Sequence, residues 1–87
     1  MIEKFTGQVI VAEGFELYQQ GNYNKAMKKF QKNLKDDPGN LQAVYGLATC
    51  LIAKREYDEA RVFVDRLGSE MPDNEDVNEL KQILAKH

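Results

Sequence analysis

Few side chains in this sequence are of a type, and at a spacing, that could carry covalent or acid–base chemistry. Cys50 is the one cysteine and His87 the one histidine. A lone thiol with no histidine nearby in sequence is a poor nucleophile. Cys50 is therefore read as a small buried residue between helices, and His87 as frayed. Acids gather at Asp36-Asp37 and at Asp73 with Asp76. Each group stands at the end or start of a helix, where carboxylates serve the backbone before they serve a reaction. Zinc-ligand spacing, a phosphate-binding glycine loop and a general acid–base pair are all missing. No catalytic residue, cofactor site or metal site is expected, and the chain does not read as an enzyme. What remains is the chemistry of recognition, in aromatic residues such as Phe15 and Tyr45 and in a series of lysines, Lys25, Lys28, Lys29, Lys32 and Lys35.

Composition narrows the partners. Eighty-seven residues allow one domain. A hydrophobic content of 43% with 30% charged residues is that of a folded globular chain. A net charge of −2 and a pI near 5.3 argue against a general nucleic-acid binder, which needs a basic face to displace counterions. No apolar run approaches the roughly 18 residues of a membrane span, and Val9 to Ala12 is too short for a secretory core. One cysteine makes no internal disulfide. A cytoplasmic protein, without nucleic acid or membrane among its partners, is the expectation.

The elements that position these side chains come from an internal repeat. Tyr23 and Tyr57, Ala26 and Ala60, Phe30 and Val64, Pro38 and Pro72 are each separated by thirty-four residues. The same offset joins Ile10 to Val44, Gly14 to Ala48, Leu17 to Leu51 and Asn40 to Asn74. A fixed period of this size marks stacked helical units. Apolar spacing predicts helices over 8–20, 23–36, 41–54, 57–70 and 75–86, with Ile2 and Phe5 able to add one turn to the first. Gly21-Asn22 ends the first helix, Asp37-Pro38-Gly39 the second and Pro72-Asp73-Asn74 the fourth. Asn40 is the expected N-cap of the third helix. In the last helix Val77, Leu80 and Leu84 match Val44, Leu47 and Leu51 if the preceding loop is one residue shorter. Small residues at Gly14/Ala48 and Ala26/Ala60 permit close helix approach, and Tyr23 and Tyr57 can wedge each pair at a set angle.

Gly14, Gly21, Tyr23, Ala26, Phe30 and Pro38, followed by Leu47, Ala48, Tyr57, Ala60 and Pro72, resemble the tetratricopeptide repeat. The resemblance implies an all-α fold, a right-handed α-α superhelix of two helical hairpins plus a C-terminal capping helix. Residues 1–87 would form a single domain, with repeat 1 at 7–40, repeat 2 at 41–74 and the cap at 75–87. It also implies a protein-interaction scaffold with no catalysis of its own. Three departures stand out. Glu13 occupies the place of Leu47, either tolerated at the open end of the stack or paired with Lys29. Asn33 replaces a small or apolar residue, and Arg55 takes the turn position of Gly21.

In proteins that this chain resembles, the flank of each first helix facing away from its hairpin partner lines a concave peptide groove. Here that flank carries Gln8, Val11, Ala12, Phe15 and Gln19, then Gln42, Tyr45, Gly46, Thr49 and Ala53. Under the shifted register Glu75, Asn78, Glu79 and Gln82 form its far wall. Val11, Tyr18 and Ile52 either join the groove or pack between adjacent first helices. The resemblance thus points to Gln8, Val11, Phe15, Gln19, Gln42, Tyr45, Thr49 and Glu79 as peptide-binding residues. The clamp of lysine, arginine and asparagine with which some such proteins grip a terminal carboxylate has no counterpart, since Val11, Phe15, Gly46 and acids near Glu75 and Glu79 stand in its places. The lysines of the second helix read as its solvated convex face. Residues 1–40 total +1 and 41–87 total −3, which also suits head-to-tail association. Two functions compete. One is a module holding a short amphipathic helix or extended peptide of a protein partner in the groove, its apolar side against Phe15 and Tyr45 and its basic end toward Glu75 and Glu79. The other is an assembly element that forms a homodimer through the groove or the array ends. A variant of the second has the third and fourth helices fused across Arg55-Glu56, exchanging hairpins between chains.

Overall fold

A computed structural model describes residues 2–87, with side chains from Val11 onward. Five helices follow one another: α1 (Ile2–Gln19), α2 (Tyr23–Asp36), α3 (Leu41–Ala53), α4 (Tyr57–Glu70) and α5 (Glu75–Ala85). The bounds of α2 and α4 are those expected from the sequence. α1 starts six residues before Gln8, because nothing between Ile2 and Gln8 interrupts a helix; a single glycine there is tolerated. α1 packs on α2 and α3 on α4, α2 and α4 each pack on the helix that follows, and α1 touches α3. The result is a stack of helical hairpins measuring 40 × 28 × 19 Å.

The turns show how the repeat is punctuated. After α1, the Asn22 amide donates to the Leu17 carbonyl (2.9 Å) and Gly21 has φ 83°. After α3, the Glu56 amide donates to the Leu51 carbonyl (2.8 Å) and Arg55 has φ 63°. Both are the same left-handed helix stop, so Arg55 makes without glycine the turn that Gly21 makes with it. α3 and α4 are consequently two helices and not one fused rod. Asn40 and Asn74 each cap the next helix, their side-chain oxygens accepting from Ala43 N (3.2 Å) and Val77 N (3.1 Å).

Burial follows the repeat. Ala26, Phe30, Ala60, Val64 and Leu67 form the inner faces of α2 and α4, and Val44, Ala48 and Leu51 that of α3. Phe30, fully buried, lies between two glycines. A Cβ on Gly14 would stand 2.6 Å from its Cε1, and one on Gly46 2.5 Å from the same atom. Gly46 is thus a close-approach point for Phe30 and not, as its helical-wheel angle suggested, part of an open flank. The lysines at 25, 28, 29, 32 and 35 are all exposed. Glu13 is exposed as well and pairs with Lys29 at 3.5 Å, so its charge is turned away from the core. Among the described residues Asn33 is the exception inside: it is 4% exposed, and neither polar atom of its side chain finds a partner.

The two repeat tyrosines begin their helices alike and differ in ring neighbours. Tyr23 leans on Tyr18, with centroids 5.5 Å apart. Tyr57 stacks flat on His87 (4.1 Å, 5° between planes), so the ring of His87, exposed and past the end of α5, rests against the start of α4.

Candidate interaction groove

α1, α3 and α5 lie on one side of the stack and enclose a groove of about 550 Å³. One wall is Val11, Ala12 and Phe15 of α1. Leu41, Gln42 and Tyr45 of α3 form the middle. Met71 and Asn74 from the α4–α5 connection, with Asp76 and Val77 of α5, close the far side. Short turns set this arrangement, since each first helix must return to the same side after its partner has packed.

Phe15 and Tyr45 sit together, with centroids 6.5 Å apart and planes at 44°. Each is half-buried. Phe15 also meets Phe30 edge-on at 4.9 Å, a favoured geometry for aromatic pairs, so it serves the core and the groove at once. Burial raises the Tyr45 hydroxyl above its ordinary pKa, and the carboxylates of Asp76 and Glu79 add to the effect. Val11 is 4% exposed and packs in the core cluster of the first hairpin, showing the groove only a strip of its surface.

The other expected groove residues are distributed differently. Gln42 is exposed and lines the groove. Thr49 lies beyond it, its hydroxyl donating to the Gly46 carbonyl at 2.8 Å. Gln19 is exposed near the end of α1, also outside the lining, and Glu79 stands one turn past Asp76. The side chain of Gln8 lies outside the described residues. Tyr18 and Ile52 pack against the core clusters and not in the groove.

Leu41, Met71, Asn74, Asp76 and Val77 were missed from the sequence. The signal that finds them is the pair of asparagine caps. α5 starts thirty-four residues after α3, so the two loops are equal in length and the shifted register does not hold. Asp76 is then the counterpart of Gln42, and Glu79 of Tyr45. The far wall is built on Asp76 and Val77 in place of Glu75, Asn78 and Gln82.

Cys50 takes no part. It is fully buried, and burial pushes its thiol up to about 11, against a smaller opposing effect of Lys54. Among the described residues, no group of three His, Cys, Asp or Glu side chains is placed to hold a metal ion. No described helix is long and apolar enough to cross a membrane.

A stack of helical hairpins with capped, equally spaced first helices and a groove on their common side defines the class of helical-repeat proteins. Residues 17–84 match the family model described as tetratricopeptide repeat, and the chain belongs to that family. Members of the family are generally protein–protein interaction modules and typically lack enzymatic activity. No curated protein and no solved structure matches the chain.

Proposed function

We propose that the chain is a non-enzymatic interaction module holding a short segment of a protein partner, helical or extended, in the groove between α1, α3 and α5. The observation that carries this function is the open apolar trough. Phe15, Leu41, Tyr45 and Met71 are only half-buried and converge on one depression. A leucine-, methionine- or phenylalanine-sized side chain seated there is withdrawn from water, which stabilises the complex by about 1.5–3 kcal/mol per fully buried anchor. The groove is short, so the interface is small and the affinity modest. A net charge of −2 favours a protein partner over nucleic acid.

Affinity capture from the source extract on the immobilised chain, followed by titration of the purified partner, tests the proposal. Ala12→Arg is the informative variant: Ala12 is exposed on the groove wall, so the long side chain fills the trough without entering the core. Phe15→Ala is less clean, because it also removes the contact on Phe30. Ala12→Arg and Tyr45→Ala are expected to weaken binding at least ten-fold, that is by about 1.4 kcal/mol or more. Unchanged affinity in both variants would take the groove out of the account.

A further inference from the structure

We infer that the partner segment carries a lysine or arginine within about one helical turn of its apolar anchor, held by Asp76 and Glu79 at the rim of the groove. This rests on the groove being the binding site. Asp76 lines the trough and Glu79 follows one turn along α5; both are exposed, and neither has an ion-pair partner within 4.0 Å among the described residues. Among the described residues that line the groove there is no lysine or arginine to offset them.

The repeat itself does not require these charges, since the corresponding positions on α3 are Gln42 and Tyr45. Asp76 lies in the first turn of α5, where a carboxylate favours the helix dipole, but Glu79 is past that turn and gains little from it. Their combined field reaches the Tyr45 ring, where both carboxylates act on the hydroxyl alongside burial. An apolar trough whose described rim is acidic and holds no basic residue discriminates by charge. A cation beside the anchor is attracted, and a carboxylate meets two like charges.

A random dodecamer display library selected on the full chain separates the inference from the reading beneath it. Expected from the natural chain is enrichment of leucine, methionine or phenylalanine together with lysine or arginine one to four positions away. Asp76→Asn with Glu79→Gln is expected to keep the apolar preference and lose the basic one. Peptides from the first selection should bind this variant roughly two- to five-fold more weakly for each carboxylate neutralised. Their affinity for the natural chain should fall with added salt, and for the variant hardly at all. Apolar enrichment without basic residues would overturn the inference and leave the groove standing. Enrichment indifferent to Ala12→Arg, or no enrichment at all, would overturn both. Thermal melting confirms that each variant is folded.

Discussion

Asn33 holds a side-chain amide inside the protein with both polar atoms unpartnered. Its counterpart in the second repeat, Leu67, is fully buried in an apolar cluster. A buried amide without hydrogen bonds costs about 1–3 kcal/mol in lost hydration. Asn33→Leu copies the second repeat into the first and is expected to stabilise the chain by about 1 kcal/mol, after some repacking strain. In a domain of this size that raises the melting temperature by about 4–8 °C. A lowered melting temperature would mean that the amide is satisfied in solution. Cys50 gives a pH dependence of definite sign. The folded thiol keeps its proton up to about 11, whereas the unfolded chain releases it near the ordinary value of 9.0. Below 9.0 both states hold the proton and the thiol contributes no slope. Between 9.0 and 11 only the folded state holds it, so stability falls as pH rises through that window. Urea unfolding near pH 8 and near pH 10 should show a loss in the natural chain that is smaller in Cys50→Ala. Equal losses would remove Cys50 as its source.

At the scale of the element, the two hairpin turns form a controlled comparison. They share the same hydrogen bonds and the same left-handed residue, glycine in one and Arg55 in the other. A side chain in that conformation costs about 1 kcal/mol or more through the clash of Cβ with the backbone. Arg55→Gly should stabilise the fold by about 0.5–1 kcal/mol, and Arg55→Ala should not, as denaturant midpoints would show. The bounds of α2 and α4 were legible because strong breakers flank them: Gly21-Asn22 before α2, proline after both. The start of α1 was not, since no breaker marks it. The register of α5 was misread for a physical reason. A terminal helix buries one stripe, Val77, Leu80 and Leu84, which imitates Val44, Leu47 and Leu51 at an offset of thirty-three. α3 instead has neighbours on two sides and buries two stripes. Only the asparagine caps fix the true offset. Phe15 and Tyr45 were legible as a pair from helical spacing together with the repeat resemblance, which sets the two first helices side by side. Gly46 was not, because its direction on the wheel says nothing of a phenylalanine reaching across from α2.

Across the whole molecule, few polar links tie successive layers among the described residues: Lys54 Nζ donates to Asn24 Oδ1 at 2.6 Å, an Arg66 guanidinium nitrogen donates to the Pro38 carbonyl, and an Arg61 guanidinium nitrogen donates to the Leu84 carbonyl of α5 at 3.4 Å. Exposed or partly exposed links of this kind contribute little, so cohesion of the stack rests on apolar burial between neighbours. α5 supplies Val77, Leu80 and Leu84 to the cluster that also holds Val64 and Leu67. Burying three such side chains is worth about 5–9 kcal/mol as an upper bound. The expected stability of a chain of this length is about 4–13 kcal/mol. Ending the chain after Asp73 removes that burial and uncovers Val64 and Leu67. The truncated protein is therefore expected to lose its cooperative thermal transition and most of its helical circular dichroism at 25 °C. The same cut removes Asn74, Asp76 and Val77, the far side of the groove. A ligand that bridges α1, α3 and α5 binds only the closed stack, so it should raise the melting temperature of the full chain with increasing concentration. It should leave the truncated chain unaffected. A truncated chain that melts cooperatively near the temperature of the full one would show instead that the first two hairpins hold together without their cap.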